Sequence, residues 1–98
     1  MTIVVEQTAS FACWLIGLRD RKAKIAVGRR IERAAAGNLG DCKSVGGGIS
    51  ELRVDVAGGY RIYFTRKGNR LIVLLVGGDK SSQAVDILKA RKLAMEMK

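Results

Sequence analysis

The chain has no histidine and no proline among its 98 residues, only two cysteines, and aromatic side chains at just 5%. Each scarcity excludes something. Without histidine the usual general base near neutral pH is missing, so any acid–base chemistry falls to Lys, Tyr, Glu, Asp or water. Cys13 and Cys42 stand far apart with no CxxC between them, which suggests neither a zinc site nor a disulfide framework. No motif calls for a metal or a cofactor, and none is expected. The longest apolar run, "LIVLLV" at 71–76, has strand length and falls well short of the roughly 20 residues that span a bilayer. The opening "MTIVVEQ" lacks the basic start, long apolar core and small-residue cleavage site of a signal peptide. Cytoplasmic residence, with no membrane partner, is the expectation.

What the chain does have is positive charge. Eighteen Lys plus Arg oppose nine Asp plus Glu, a formal net charge of +9. Counterion release rewards each phosphate such a surface neutralises, so nucleic acid is the first candidate partner and an acidic protein the second. Residues 19 to 33 alone hold seven Lys or Arg against Asp20 and Glu32. A length of 98 residues with 48% hydrophobic side chains suits one domain with one modest core, spanning 1–98.

Periodicity orders the elements. "TIVVE" at 2–6 reads as a short strand, after which Thr8 or Ser10 caps a helix with Phe11, Trp14, Leu15 and Leu18 on one stripe. Asp20 caps a second helix over 21–36, with Ala23, Val27, Ile31 and Ala34 inward and Gly37–Asn38 ending it. Its outer face, Arg21, Lys22, Lys24, Arg29, Arg30 and Arg33, forms a cationic ridge. Short β-rich segments come next: "KSV", "SELRVDV", "YRIYFTR" and "RLIVLLV", with "VGGGIS" read as a flexible loop. A last helix from Ser81 or Ser82 is expected to bury Ala84, Leu88, the stem of Arg91 and Met95, or their neighbours. The fold class is therefore α+β. An N-terminal strand and a two-helix hairpin pack on a four- to five-stranded, mostly antiparallel sheet, and a helix closes the chain.

The segment "ELRVDVAGGYRIYF" at 51–64 carries arginines that a plain hairpin does not need. A three-residue turn over Ala57 to Gly59 pairs Val56 with Tyr60, Val54 with Ile62 and Leu52 with Phe64 on one apolar face. The other face sets Asp55 against Arg61, Arg53 against Tyr63 and Glu51 against Thr65. In that register Tyr63 is the lone aromatic on a wet face, while Phe11, Trp14, Tyr60 and Phe64 are core. The face is either a set of cross-strand ion pairs or a site in which one base stacks on Tyr63. Downstream, "GGDKSSQ" at 77–83 reads as a strand-to-helix turn capped by Asp79 or Ser81, with Lys80 projecting from the sheet's end. It matches neither common nucleotide-binding glycine signature.

"FACWLIGLRDRKAKIAVGRRIERAAAGNLGDCKSVGGGISELRVDVAGGYRIYF" followed by "LIVLLVGGDKSSQAVDILKA" resembles the addiction-module killer proteins of the RelE/ParE toxin superfamily, in the small HigB-like branch. The resemblance implies a toxin of a type II toxin–antitoxin pair that cuts mRNA, commonly on translating ribosomes. Its implied partner is a cognate antitoxin, usually a helix-turn-helix repressor, through which alone the complex would meet operator DNA. Carried over by position, Arg53 and Arg61 match the basic sheet positions around the scissile phosphate. Lys80 stands where many relatives have His or Tyr. The expected chemistry is metal-independent attack of a 2′-hydroxyl on the adjacent phosphate. Arg61 and Arg53 would bind that phosphate, Lys80 or Lys43 would act as base or acid, Glu51 is the competing base, and Tyr63 would stack or donate a proton. The ridge would contact RNA backbone. The same superfamily also includes ParE-type gyrase inhibitors, which are not enzymes, and an inactive nucleic-acid-binding relative is the third reading.

Overall fold

Thr8 decides where the first helix starts. Its Oγ1 accepts the N–H of Phe11 at 3.0 Å and donates to the carbonyl of Leu75 at 2.7 Å, so one side chain caps a helix and ties it to a distant strand. The computed structural model describes residues 3–56 and 58–97. In it the chain runs β1 Val4–Gln7, α1 Ala9–Gly17, α2 Arg21–Ala35, β2 Cys42–Gly46, β3 Ile49–Val54, β4 Tyr60–Lys67 and β5 Leu71–Asp79. One turn of 3₁₀ helix, Lys80–Ser82, then leads into α3 Gln83–Glu96. The strands lie in the order β1-β5-β4-β3-β2, with β1 parallel to β5 and every other pair antiparallel. This is the expected α+β architecture. Thr2, expected as the first strand residue, lies outside the described residues. Among the described residues no helix is long and apolar enough to cross a membrane.

Asp20 caps α2 as expected, its Oδ1 accepting the N–H groups of Lys22 and Ala23 at 2.9 and 3.2 Å. The inward stripe of Ala23, Val27 and Ala34 is buried, with Ile31 packed against it. The sheet, however, is covered on both faces rather than one. Phe11, Val27 and Ala34 pack with Leu52, Val54, Ile62, Phe64, Ile72 and Leu74 on one side. On the other, Ala90 of α3 lies over Ile49, Tyr63, Val73, Leu75 and Val76. The face expected to be wet is thus largely a second core.

The hairpin register differs from expectation by two residues. Val54 faces Tyr60, Leu52 faces Ile62, Arg53 faces Arg61 and Glu51 faces Tyr63. The connection takes residues 55–59, not a three-residue turn, and Ala57 lies outside the described residues. A two-residue shift keeps each side chain on its own face, which is why the inside–outside assignment of Leu52, Val54 and Ile62 survives while the cross-strand partners do not. Asp55 is exposed and forms no ion pair with Arg61.

A bulge in β5 sets the facing of the strand's last residues. Tyr63 pairs with Val76 and Phe64 with Leu74, leaving Leu75 as an extra residue. The alternation flips there, so Gly77 faces α1 and Gly78 faces α3. A Cβ on Gly77 would collide with the ring of Trp14, and one on Gly78 with the carboxylate of Asp86. The two glycines are therefore buried strand residues that admit neighbours closely, not the turn expected of "GGDKSSQ". The turn begins at Asp79, which caps it by accepting the N–H of Ser81 at 2.9 Å. The hydrogen bonds from the Ser81 side chain and backbone hold the Asp79 carboxyl below its usual range.

"VGGGIS" is a tight hairpin rather than a flexible loop. Ser44 pairs with Ser50 and Gly46 with Ile49, and Gly47 and Gly48 take φ of 66° and 77° at the turn. Arg91 of α3 lies against Gly47 and donates to the carbonyl of Val45 at 2.6 Å. The helix itself is rotated from expectation. Ala90 is buried with Ile87, Leu93, Ala94 and Met97 packed beside it, whereas Leu88 and Met95 are 65% and 71% exposed and Ala84 is exposed too. Of the side chains named for its inner face only Arg91 is there, and Ile87 and Ala94, the neighbours of Leu88 and Met95, take the place of those two.

Candidate nucleic-acid interface

Two guanidiniums directly opposite each other on β3 and β4 would repel, and the carboxylate between them explains why they do not part. Glu51 Oε1 accepts from Arg61 Nε at 2.5 Å and lies 3.8 Å from Arg53 Nε. Glu51 is fully buried, the Arg61 side chain is 12% exposed and that of Arg53 is 44% exposed. The carboxylate therefore holds Arg61 by Nε alone. Its other nitrogens carry no hydrogen bond to the described residues. Tyr63, across from Glu51, is also fully buried, and burial followed by the nearby Glu51 charge pushes its hydroxyl up to about 12, partly opposed by Arg61. Neither the Tyr63 hydroxyl nor Glu51 Oε2 has a partner among the described residues.

Arg53 and Arg61 open into a hollow of about 320 Å³ lined also by Asp41, Val54, Asp55, Gly58, Gly59, Tyr60 and Lys80. Lys80, exposed at the head of the 3₁₀ turn, joins because β5 runs on through Gly78 and Asp79 to the level of Arg61 and Tyr60. A second hollow of about 350 Å³ shares Asp41, Arg53, Val54 and Asp55 with the first and is lined further by Ala26, Arg29, Arg30 and Arg33 of α2. Together they form one cleft between α2 and the β3–β4 hairpin, with six cationic side chains on its walls against two carboxylates.

The expected site residues sort unequally onto this cleft. Arg53, Arg61 and Lys80 converge, and Arg29 and Arg33 extend the line. Arg30 is different, because it donates to the carbonyls of Leu39 at 3.0 Å and Asp41 at 3.4 Å and so stitches the α2–β2 connection. Arg21, Lys22 and Lys24 are exposed but line neither hollow, and Lys24 reaches back to the Ile16 carbonyl at 3.2 Å. Lys43 is exposed on β2, opposite Glu51 in the ladder and outside the cleft lining. Two expectations are corrected. Tyr63 is sealed beneath α3 and cannot stack a base. Glu51 is sealed as well, so it can orient Arg61 but cannot reach a substrate hydroxyl. The residues that sequence reasoning passes over are Asp41 and Tyr60. Tyr60 packs against the first core as expected, but it is only half-buried and also lines the cleft, with its ring centroid 6.2 Å from that of Trp14. Its place directly after Gly58–Gly59, at the mouth of a strand, is the signal that could have found it.

The fold and the cleft together define a small basic α+β domain with an arginine-lined groove at one end of the inner strands of its sheet. The chain belongs to the family described as phage derived protein Gp49-like (DUF891), which it matches over residues 16–97. It is 46% identical over 97 residues to an uncharacterized protein of Haemophilus influenzae, a match covering 99% of this chain and 98% of that one.

Proposed function

We propose that the chain is the toxin of a type II toxin–antitoxin pair and that it acts in the cytoplasm as an mRNA endoribonuclease, in the manner of the RelE and HigB toxins it resembles. The observation that carries this reading is the convergence of Arg53, Arg61 and Lys80 on one hollow. Membership of a phage-derived family suits such a role.

In the proposed reaction the 2′-oxygen bonds to the adjacent phosphorus and the bond from phosphorus to the 5′-oxygen breaks. The hydroxyl proton goes to a base and the leaving oxygen receives one in turn. Arg61 supplies the main charge for the phosphorane. Its Nε is held by Glu51, and its remaining donors grip phosphate oxygens in a fixed orientation. Arg53, more exposed, supplies the second cation. Lys80, which lines the same hollow, moves the proton, and Tyr60 takes the stacking role in place of Tyr63. Arg29 and Arg33 would track the RNA backbone away from the reacting phosphate. A helix-turn-helix antitoxin would silence the protein and carry the pair to operator DNA.

The test is a coupled translation reaction with purified protein, in which mRNA 5′ ends are mapped beside a gyrase supercoiling assay. New 5′ ends that disappear with Lys80→Ala and Arg53→Ala are the expected result. Intact mRNA together with blocked supercoiling would mean a ParE-type gyrase inhibitor instead.

A further inference from the structure

Helix α3 is apolar on two sides. Ile87, Ala90, Leu93 and Ala94 face the sheet, and on the opposite side Val85, Leu88 and Met95 stand 67%, 65% and 71% exposed. Spacings of 85, 88, 92 and 95 place Val85, Leu88, Lys92 and Met95 along one straight stripe, about 15 Å long at the usual helical rise. A helix that is apolar on both sides is normally covered on both. Among the described residues nothing covers this one, and none of the four side chains lines the arginine cleft.

We propose that this stripe is the docking seam for an acidic amphipathic helix of a protein partner. The charge around it selects that occupant. Lys92 lies within the stripe, Lys89 borders it, and Lys67 of β4 reaches the C-terminus of the helix, with Nζ 3.3 Å from the Met97 carbonyl. Glu96 is the one exposed acid of α3 among the described residues. A partner helix with a Leu- or Ile-type seam and glutamates on its flanks would cover the three apolar side chains and neutralise the lysines together. A second copy fits badly. Antiparallel self-pairing about the middle of the stripe would bring Lys89 and Lys92 of both copies together, on chains that each carry +9. A bilayer surface fits no better, since the face offers Val, Leu and Met but none of the aromatic anchors that seat a helix at an interface. The inference does not rest on ribonuclease activity, because the seam and the cleft share no residue.

The experiment uses the full chain, isotope-labelled for backbone NMR. The probe is a synthetic three-turn helix with leucines at the same spacing and glutamates on its flanks, and the control is the same peptide with lysines on the flanks. The acidic peptide is expected to shift resonances at Val85, Leu88, Lys92 and Met95 and to bind at least tenfold more tightly than the control. Leu88→Glu should weaken it at least tenfold while leaving the thermal midpoint within a few degrees, as its side chain is mostly in water already. Equal binding by Leu88→Glu, or shifts confined to Arg29, Arg53 and Arg61, would overturn the proposal. So would dimerisation in sedimentation, or adsorption to phosphatidylglycerol vesicles, that Leu88→Glu abolishes.

Discussion

Removing Arg61 should unfold the protein before it says anything about catalysis. Among the described residues Arg61 Nε is the only group within hydrogen-bonding distance of Glu51 Oε1, and Glu51 is fully buried. Arg61→Ala would leave that carboxylate with Arg53 alone, 3.8 Å away. Taking one partner from a buried ion pair costs about 3–5 kcal/mol. In a domain of this size each kcal/mol lowers the midpoint by roughly 4–8 °C, so the variant should melt roughly 12–40 °C below the wild type. Replacing both partners, Glu51→Leu with Arg61→Leu, removes the uncompensated charge and should return stability to within about 1 kcal/mol of wild type. In the cycle built with Arg61→Leu and Glu51→Leu as the single variants, the coupling between the two sites is then at least about 2 kcal/mol, the least that one unpaired partner costs less the most that the double variant loses. Urea unfolding read by the single tryptophan, Trp14, reports all four corners of the cycle, since its ring packs on Phe11, Tyr60 and Gly77 of the core. The double variant should be folded and unable to cut RNA. Wild-type stability in Arg61→Ala would refute the account of Glu51 as a dependent buried anion, and wild-type cleavage by the double variant would remove Arg61 from the proposed chemistry.

Other expectations concern the buried hydroxyl and the cleft. Tyr63 keeps its proton to about pH 12 when folded, against 10.0 as the ordinary value. The unfolded chain therefore releases that proton first, and stability that is intact below pH 10 is lost progressively between about 10 and 12. The loss approaches roughly 2–3 kcal/mol at about 1.36 kcal/mol per unit. Tyr63→Phe should abolish that alkaline limb in pH-dependent unfolding. It should be neutral or slightly stabilising near neutral pH, because the hydroxyl it removes has no partner among the described residues. Arg29→Gln with Arg33→Gln should lower the salt dependence of single-stranded RNA binding by roughly 0.7 in log–log slope for each phosphate no longer neutralised. Arg21→Gln with Lys22→Gln, outside the cleft, should lower it less. Equal slopes for the two pairs, measured by fluorescence anisotropy across a salt series, would return the whole ridge to the status of a solvated helix face.

Local chemistry makes much of the fold legible. Thr8 and Asp20 cap the helices their positions predict, and the stripe through Phe11, Val27 and Ala34 is the inner one. The arginine pair is visible because Arg53 and Arg61 stand on a face the first core does not use. Their partner is not. The hairpin's apolar alternation fixes which side each residue takes but tolerates a slip of two, and only the five-residue connection at 55–59 decides that Arg61 lies across from Arg53 rather than Asp55. The misplaced face of α3 has a similar origin. A helix apolar on both sides has no single period to read, and its rotation is set by Ala90 and Arg91 meeting the sheet and the β2–β3 turn.

By itself, then, the sequence determined the α+β order of elements, the caps and the +9 charge. Those come from period, composition and local hydrogen bonding. The tertiary structure alone decided that α3 covers the second sheet face, which turns Tyr63 from an exposed aromatic into a sealed one and Glu51 from a base into a buried anchor. It also decided, through the Leu75 bulge and the run of β5 to Asp79, that Lys80 meets Arg61. Contacts between residues far apart in the chain carry no local signature, because burial is a property of what packs on a residue and not of the residue itself.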